Sequence, residues 1–417
     1  MYESPSTTNS YGKPLCRTRH FAPSGWRLAL LLALFLSDDA IGFEDRNDYA
    51  GSEVCGACHA AEYALWRHSF HSRIYREPVD GAVLGDFDCE HGPGFDRADV
   101  AFVIGGHLEQ MYAFASGDEH YVLPAKWLVR QQRWEAYHAA DWQERPMRRK
   151  CHGCHIVGYD HRTGVGAEVN IGCEACHGPG AQHVRSQEPA DIVTSVASEI
   201  CGRCHSRGRN TADDVDFAYQ FRPNRSDELD RFMEFSLPSG RADSYWWAGG
   251  TERNRHQEFL AFQQSGHRLA LASLRAAPDA AASCLPCHSA DGQHSDDLGT
   301  ASHGVTCVSC HDPHASLLAG AANAVRACED CHQRGAVLVH GGARSHSPCK
   351  SGEPTCVDCH MPPSGEGTVG FGVRSHTFRV VAPGDVPAGH DSCLYAGCHP
   401  SADAASLRLA LDNRAPP

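Results

Sequence analysis

The chain is poor in what an ordinary protein interior needs. Hydrophobic residues fill only 41% of its 417 positions and aromatics 8%, while Gly (40) and Pro (23) are plentiful. Such a composition makes many turns and few large apolar cores. Disorder does not follow, because Trp, Tyr and Phe recur along the whole length. Lysine is nearly missing: Lys13, Lys126, Lys150 and Lys350 are the only lysines among 37 basic residues, and 51 acidic residues bring the formal net charge to −14. No Lys/Arg run or basic stripe occurs, which argues against nucleic acid as a partner. Methionine is scarce too, with 5 in all. After residue 36, no apolar run approaches the length of a transmembrane helix.

The N-terminus has a character of its own. Residues 1–27 carry Lys13, Arg17, Arg19 and Arg27 against the single acid Glu3, and the apolar run Leu28 to Leu36 follows. That run is too short to span a bilayer and has the length of a signal-peptide core. Ala40-Ile-Gly42 is a small-x-small cleavage site. Residues 1–42 are therefore expected to be a signal peptide; a retained membrane anchor is the competing reading. The mature chain, with a net charge near −15 once Lys13, Arg17, Arg19, Arg27, Glu3, Asp38 and Asp39 are removed, is expected to be periplasmic or extracellular. Membrane contact is then confined to the signal peptide before cleavage.

What the chain has in excess is cysteine and histidine, 21 and 28 residues. Eight times it reads Cys-x-x-Cys-His: at Cys55, Cys58 and His59; at Cys151, Cys154 and His155; at Cys173, Cys176 and His177; at Cys201, Cys204 and His205; at Cys284, Cys287 and His288; at Cys307, Cys310 and His311; at Cys328, Cys331 and His332; and at Cys356, Cys359 and His360. A ninth site, Cys393, Cys398 and His399, is stretched by two residues. The pattern is that of covalent haem c attachment: two thiols reach the two vinyl groups on one porphyrin edge, and the adjoining His gives its imidazole to iron. Structural zinc, thioredoxin-like pairs and a disulfide framework would each use cysteine pairs, but none demands a His after every pair. Nine haems are expected, eight at regular motifs. At that density the porphyrins themselves form the core, and the chain wraps around them.

The sixth iron ligand separates a conductor from a catalyst. Beyond the leader the methionines are Met111, Met147, Met233 and Met361, too few for nine irons. Histidines are in surplus, so mostly bis-His, low-potential haems are expected. The leading distal candidates are His71, with His68 on the adjacent turn, His183, His267, His303, His314 and His376; His107, His120, His138, His340, His346 and His390 form a second group. His152, inside its own motif, reads as a bystander. Of the other mature cysteines, Cys89 and Cys349, an oxidising compartment allows a disulfide.

Motif spacing organises the chain. The expected layout is an N-terminal haem lobe over 43–206 with four motifs, an acidic, partly helical connecting region over 207–283 with helices near 226–235 and 256–275, and a C-terminal lobe over 284–417. Short α-helices and coil are expected around stacked haems, with a small β-hairpin near 100–138, where apolar and polar residues alternate between Gly pairs.

Several segments resemble a large family of exported multihaem c-type cytochromes, related in haem arrangement to hydroxylamine oxidoreductase, octahaem tetrathionate reductase and pentahaem nitrite reductase. They are Gly51-Ser-Glu-Val-Cys-Gly-Ala-Cys-His59 with Trp66 to His71, Val122 to Trp127, Gly172 to Gly180, Gly304 to His314, Cys356 to Pro362 and Ser375 to Phe378. The resemblance implies distal roles for His71 and His376. All nine motifs end in His, whereas the catalytic haem of the nitrite and tetrathionate reductases is attached by a motif ending in Lys. The resemblance also leaves two kinds of function open. One is an electron carrier of anaerobic or extracellular respiration, docking to redox partner proteins such as membrane quinol-linked cytochromes or terminal reductases. The other is a reductase or oxidase of small nitrogen or sulfur oxyanions with one open haem. A subunit of an extracellular cytochrome filament is a third reading.

Overall fold

The computed structural model describes residues 48–195, 197–268, 305–315, 328, 356–365, 374–387, 389–395, 399 and 402–412. The expected signal peptide lies outside them. So does the whole fifth motif, with Cys284, Cys287 and His288, and so do Cys331, His332, Cys398, His303, His340, His346 and Cys349. The chain divides into two compact units: Met1–Tyr63, Phe70–Ala175 and Pro179–Ile192 in the first, Ala64–Ser69, Cys176–Gly178 and Val193–Pro417 in the second. Among the described residues, no helix is long and apolar enough to cross a membrane.

Helices α1 (Ser52–Gly56) and α2 (Ala60–Trp66) bracket the first motif. The alternating stretch then builds more than the expected hairpin. Strands β1 (Tyr75–Arg76), β2 (Phe102–Gly105), β3 (Glu109–Ser116), β4 (Glu119–Val122), β5 (Ala125–Leu128) and β6 (Arg133–Ala136) form a six-stranded antiparallel sheet. Its order is β1-β2-β3-β5-β6, with β4 also on β3. Strand β3 is long enough to pair β5 at Glu109–Gln110 and β4 at Ala113–Ser116. The two-residue turn Gly117-Asp118 closes the β3–β4 hairpin, and Gly117 takes the positive φ of 60° that such turns require.

Period-two alternation sends side chains to both faces of the sheet. Val103, Tyr112 and Trp127 pack on one face with Phe87, Phe95, Trp134 and Trp142. Ile104, Ala113 and Val122 pack on the other with Tyr75, Met147 and Cys151, which seats the second motif against the sheet. The aromatic tips are satisfied: Trp134 Nε1 donates to Asp86 O at 2.8 Å and Tyr112 Oη to Gln110 Oε1 at 2.8 Å. Lys126 on β5 lies nearly buried, with Nζ 2.9 Å from Glu109 and 3.3 Å from Glu135.

After the sheet the elements shorten. They are α3 (Met147–Lys150), α4 (His152–His155), β7 (Ile156–Val157), β8 (Glu168–Val169), α5 (Glu174–His177), α6 (Ala181–Ser186) and α7 (Ser198–Gly202). Strand β9 (Gly208–Asn210), α8 (Leu229–Phe232), β10 (Met233–Phe235) and α9 (Glu258–Gln263) follow. The helix expected over 226–235 is thus interrupted: Met233–Phe235 pairs antiparallel with β9 instead. Phe221, Leu229, Met233, Trp246 and Phe259 form a second core around this segment. Helix α10 (Cys356–His360) carries a motif, and α11 (Ala404–Asp412) closes the described chain.

Candidate haem-binding sites

The motifs that the structure describes in full sit on short helical turns. The motif His donates its backbone N–H to the first Cys carbonyl in His59→Cys55 (2.9 Å), His205→Cys201 (2.9 Å) and His311→Cys307 (3.0 Å). The second Cys closes the same turn in Cys58→Cys55 (3.2 Å), Cys154→Cys151 (3.2 Å), Cys204→Cys201 (3.1 Å) and Cys310→Cys307 (3.2 Å). One such turn puts two thiols and an imidazole on a single short segment, the arrangement that covalent attachment needs.

The thiols stay reachable. Cys154, Cys176 and Cys204 are half-buried, as is Cys359 inside α10, whereas Cys58, Cys310 and Cys356 are exposed. The Cys359 carbonyl accepts the Ser392 hydroxyl at 2.6 Å, which ties the eighth motif to the segment just before the ninth. In the stretched ninth motif Cys393 is half-buried and His399 exposed, with the His399 carbonyl accepting from Ala402 N at 3.1 Å. The structure therefore shows this site only in part, since Cys398 lies outside the described residues. Cys287 and His288 of the fifth motif have no described geometry.

The imidazoles meet partners from far along the chain. His59 and His183 have ring centroids 6.3 Å apart, His177 and His314 6.2 Å, His311 and His376 6.1 Å, and His205 and His256 6.0 Å. The His177 and His314 planes are nearly parallel, at 4°. Two imidazoles bound through nitrogen to opposite sides of one metal, at about 2.0–2.1 Å each, have centroids about 6 Å apart. All four pairs meet that spacing. None of the four uses His155, His360 or His399. Three use distal candidates expected from sequence; His256 was not among them. It lies in the long gap between motifs, at a positive φ of 60°, and no local pattern marks it.

Hydrogen bonds fix which ring nitrogen is basic. Nδ1 of His177 donates to Val193 O at 2.7 Å, His183 to Glu188 O at 2.9 Å, His376 to Arg374 O at 2.9 Å and His360 to Phe378 O at 3.1 Å. A carbonyl only accepts, so each Nδ1 carries the proton and each Nε2 the lone pair, the tautomer that binds a metal. His68 has it too, through Ala64 O at 2.8 Å. His71 stands in a 3-10 turn, with its carbonyl accepting from Ile171 N at 3.0 Å. His267 lies edge-on to Phe378, centroids 4.6 Å apart.

Burial keeps His311, His256 and His376 neutral. Burial and the nearby His376 hold His311 down at about 4, and burial and Arg207 push His256 well below the usual range. A neutral imidazole is the ligating form. His205 differs. Desolvation pulls it down, yet the Glu258 carboxylate, 3.4 Å from Nδ1, overrides this and raises it to about 9. His155 differs again: Tyr75 Oη bridges its Nδ1 (3.1 Å) and Nδ1 of His152 (3.2 Å). His152 and His155 thereby share one phenol hydroxyl. His205, His256 and Glu258 also place ligand atoms within 4.8 Å of one another.

The thiols pair across motifs. Cys55 hydrogen-bonds Cys173, and Cys201 hydrogen-bonds Cys307. In each pair the shared proton raises the first thiol and lowers the second, Cys173 and Cys307 both to about 7. Glu174, nearly buried, ties the neighbourhood together by accepting from the N–H groups of Ala50, Gly51 and Gly180 at 2.6–2.8 Å. Cys89 is free of any disulfide.

A sequence model of the family described as cytochrome c554 and c-prime matches residues 107–178. The outer cell wall cytochrome OcwA matches the fold with a TM-score of 0.71 and 27% identity, over 88% of this chain and 86% of its own. With nine histidine-terminated motifs, imidazole pairs at metal-bridging spacing and these matches, the assignment follows. The chain is a multihaem c-type cytochrome. A second solved structure, the undecahaem cytochrome from the S-layer of Carboxydothermus ferrireducens, shares the fold with this cytochrome at a TM-score of 0.55 and 19% identity, over 89% of this chain and 61% of its own. No curated protein matches the sequence. The cytochrome carries haem c, and its motif cysteines and paired histidines fit that group in chemistry and spacing.

Proposed function

We propose that this cytochrome is exported by its N-terminal signal peptide and carries electrons through nine haems, mostly bis-His ligated, between redox partner proteins outside the cytoplasm. The observation that supports it is the set of four imidazole pairs 6.0–6.3 Å apart. Haem c, when bound, supplies one-electron iron chemistry. The residues holding it would be the cysteines and histidines of the nine motifs, with His183, His314, His376 and His256 as sixth ligands to the groups held by His59, His177, His311 and His205. Imidazoles paired in this way would leave a metal held between them no open position for substrate, which supports carriage over catalysis. The Nδ1–carbonyl bonds orient the ligands, and burial keeps His311, His256 and His376 unprotonated. Val54, Leu65 and Val184, each more than 40% exposed beside motif or ligand helices, are apolar surface that a porphyrin would cover. The outer cell wall and S-layer sources of the two structural neighbours support export.

Low-temperature electron paramagnetic resonance of the oxidised protein, integrated against total haem, tests this reading. All haem low-spin is the expected result. About one haem in nine high-spin would instead point to an open site and to reduction of nitrite, hydroxylamine or sulfite.

A further inference from the structure

The thiol pairs belong to a device that occurs twice. The first and fourth motifs read Ser52-Glu-Val-Cys-Gly-Ala-Cys-His59 and Ser198-Glu-Ile-Cys-Gly-Arg-Cys-His205, with Ser, Glu, both Cys, Gly and His in common. Both serines are buried, at 1% and 5% exposure. Each turns its hydroxyl away from its own motif. Ser52 Oγ accepts the backbone N–H of Cys173 at 2.9 Å, and Ser198 Oγ accepts that of Cys307 at 3.3 Å. These are first cysteines of motifs 121 and 109 residues downstream. They are also the cysteines whose thiols meet Cys55 and Cys201.

Two further features around the serine repeat as well. Cys173 immediately precedes α5, and Cys307 opens a 3-10 turn, so both donate N–H groups that no helical carbonyl satisfies. Serine is a preferred residue for that task when it comes from the helix's own N-cap; here it is supplied from a distant segment. The Gly after the first Cys lies flat on an aromatic ring in both copies. A Cβ there would come within 2.6 Å of Tyr63 at Gly56 and 2.7 Å of Phe259 at Gly202. Ser52 is itself held by Glu168, to which its Oγ donates at 2.8 Å.

We propose that Ser52 and Ser198 are positioning residues, latches that hold two haem-attachment edges side by side, so that motifs 1 and 3 and motifs 4 and 6 form two closely coupled haem pairs built on one repeated template. The inference rests on haem attachment at those four motifs. The latch lies on the same segments as the ligands: His183, opposite His59, follows the latched Cys173 by ten residues, and His314 follows the latched Cys307 by seven. Latching therefore sets both the edge contact and the approach of a sixth ligand.

The test uses the full-length haem-loaded protein and its Ser52→Ala, Ser198→Ala, double and Ser198→Thr variants. Peptide mapping first establishes haem at the four motifs; its absence at any of them in the parent protein would overturn the attachment reading and the latch with it. With attachment intact, the Soret circular-dichroism couplet from coupled haems is expected to fall by about half in each single alanine variant and almost to baseline in the double. Ser198→Thr, which keeps the hydroxyl, should retain it. Amide exchange should quicken at Cys173 only in Ser52→Ala, and at Cys307 only in Ser198→Ala. A couplet unchanged in the double variant, or Ser198→Thr behaving as Ser198→Ala, would overturn the latch. If Ser52→Ala does not accumulate, the two Ser198 variants carry the same test.

Discussion

The sheet over residues 75–136 and the motif-bearing segments solve the problem of burial in opposite ways. The sheet is built as an ordinary protein is: both faces are covered by aromatic and aliphatic side chains, and its buried lysine is paired with two carboxylates. The motif segments are helices of four or five residues. They leave Cys58, Cys310 and Cys356 exposed. Beside His256, both polar side-chain atoms of Gln257 are buried without a hydrogen-bond partner. Helices this short are unstable alone. The sheet is therefore expected to carry its own stability, and the motif segments to depend on haem.

The largest effect that could break this comparison is loss of haem. Chain produced without cytochrome c maturation should lose amide protection throughout the motif segments, while Val103, Tyr112 and Trp127 exchange about tenfold or more slower, a gap of about 1.4 kcal/mol or more. Equal exchange in both regions would break it. Next comes the sheet's ion pair. Lys126→Met removes the cation 2.9 Å from the buried Glu109 carboxylate and should destabilise the sheet by about 3–5 kcal/mol, with the haem spectrum unchanged. Adding Glu109→Gln should recover most of the loss; a double variant no better than the single would show that Lys126 acts through packing alone.

Ligand loss should be smaller in energy but sharp in spectrum. His183→Ala and His256→Ala should each convert one haem to high-spin, and the double variant two, by electron paramagnetic resonance. A low-spin spectrum in His256→Ala would remove it as a ligand. The finest effect is expected at Glu258. His177, His183, His360 and His376 turn Nδ1 to a neutral carbonyl, but His205 faces Glu258 and His314 faces Asp312, each at 3.4 Å, and a carboxylate makes the ring a stronger donor and favours oxidised iron. Glu258→Gln should raise the potential of a single haem in a spectroelectrochemical titration and leave the others in place; a uniform shift would point to a general structural change.

The attachment pattern was legible because its chemistry fits inside five residues. His183, His314 and His376 were legible as candidates because they stand close to motifs or to family-like segments. His256 was not, since it follows no motif and reaches His205 only because the chain from Arg207 folds back through β9, β10 and the core at Trp246. The contact of His152 was hidden for a related reason: its bridge to His155 runs through Tyr75, 77 residues away. The alternating stretch was read as a hairpin because local periodicity shows strands but not how many will pair.

By itself the sequence determined the cofactor class and named the candidate anchoring thiols and proximal imidazoles, because covalent attachment and helical turns are local. Tertiary structure alone decided which imidazoles oppose one another, which carbonyl, carboxylate or tyrosine stands behind each ring, and which motifs lie thiol to thiol. Those choices depend on contacts between residues far apart in the chain, and contacts at that distance are set by packing, which leaves no periodic trace in the sequence.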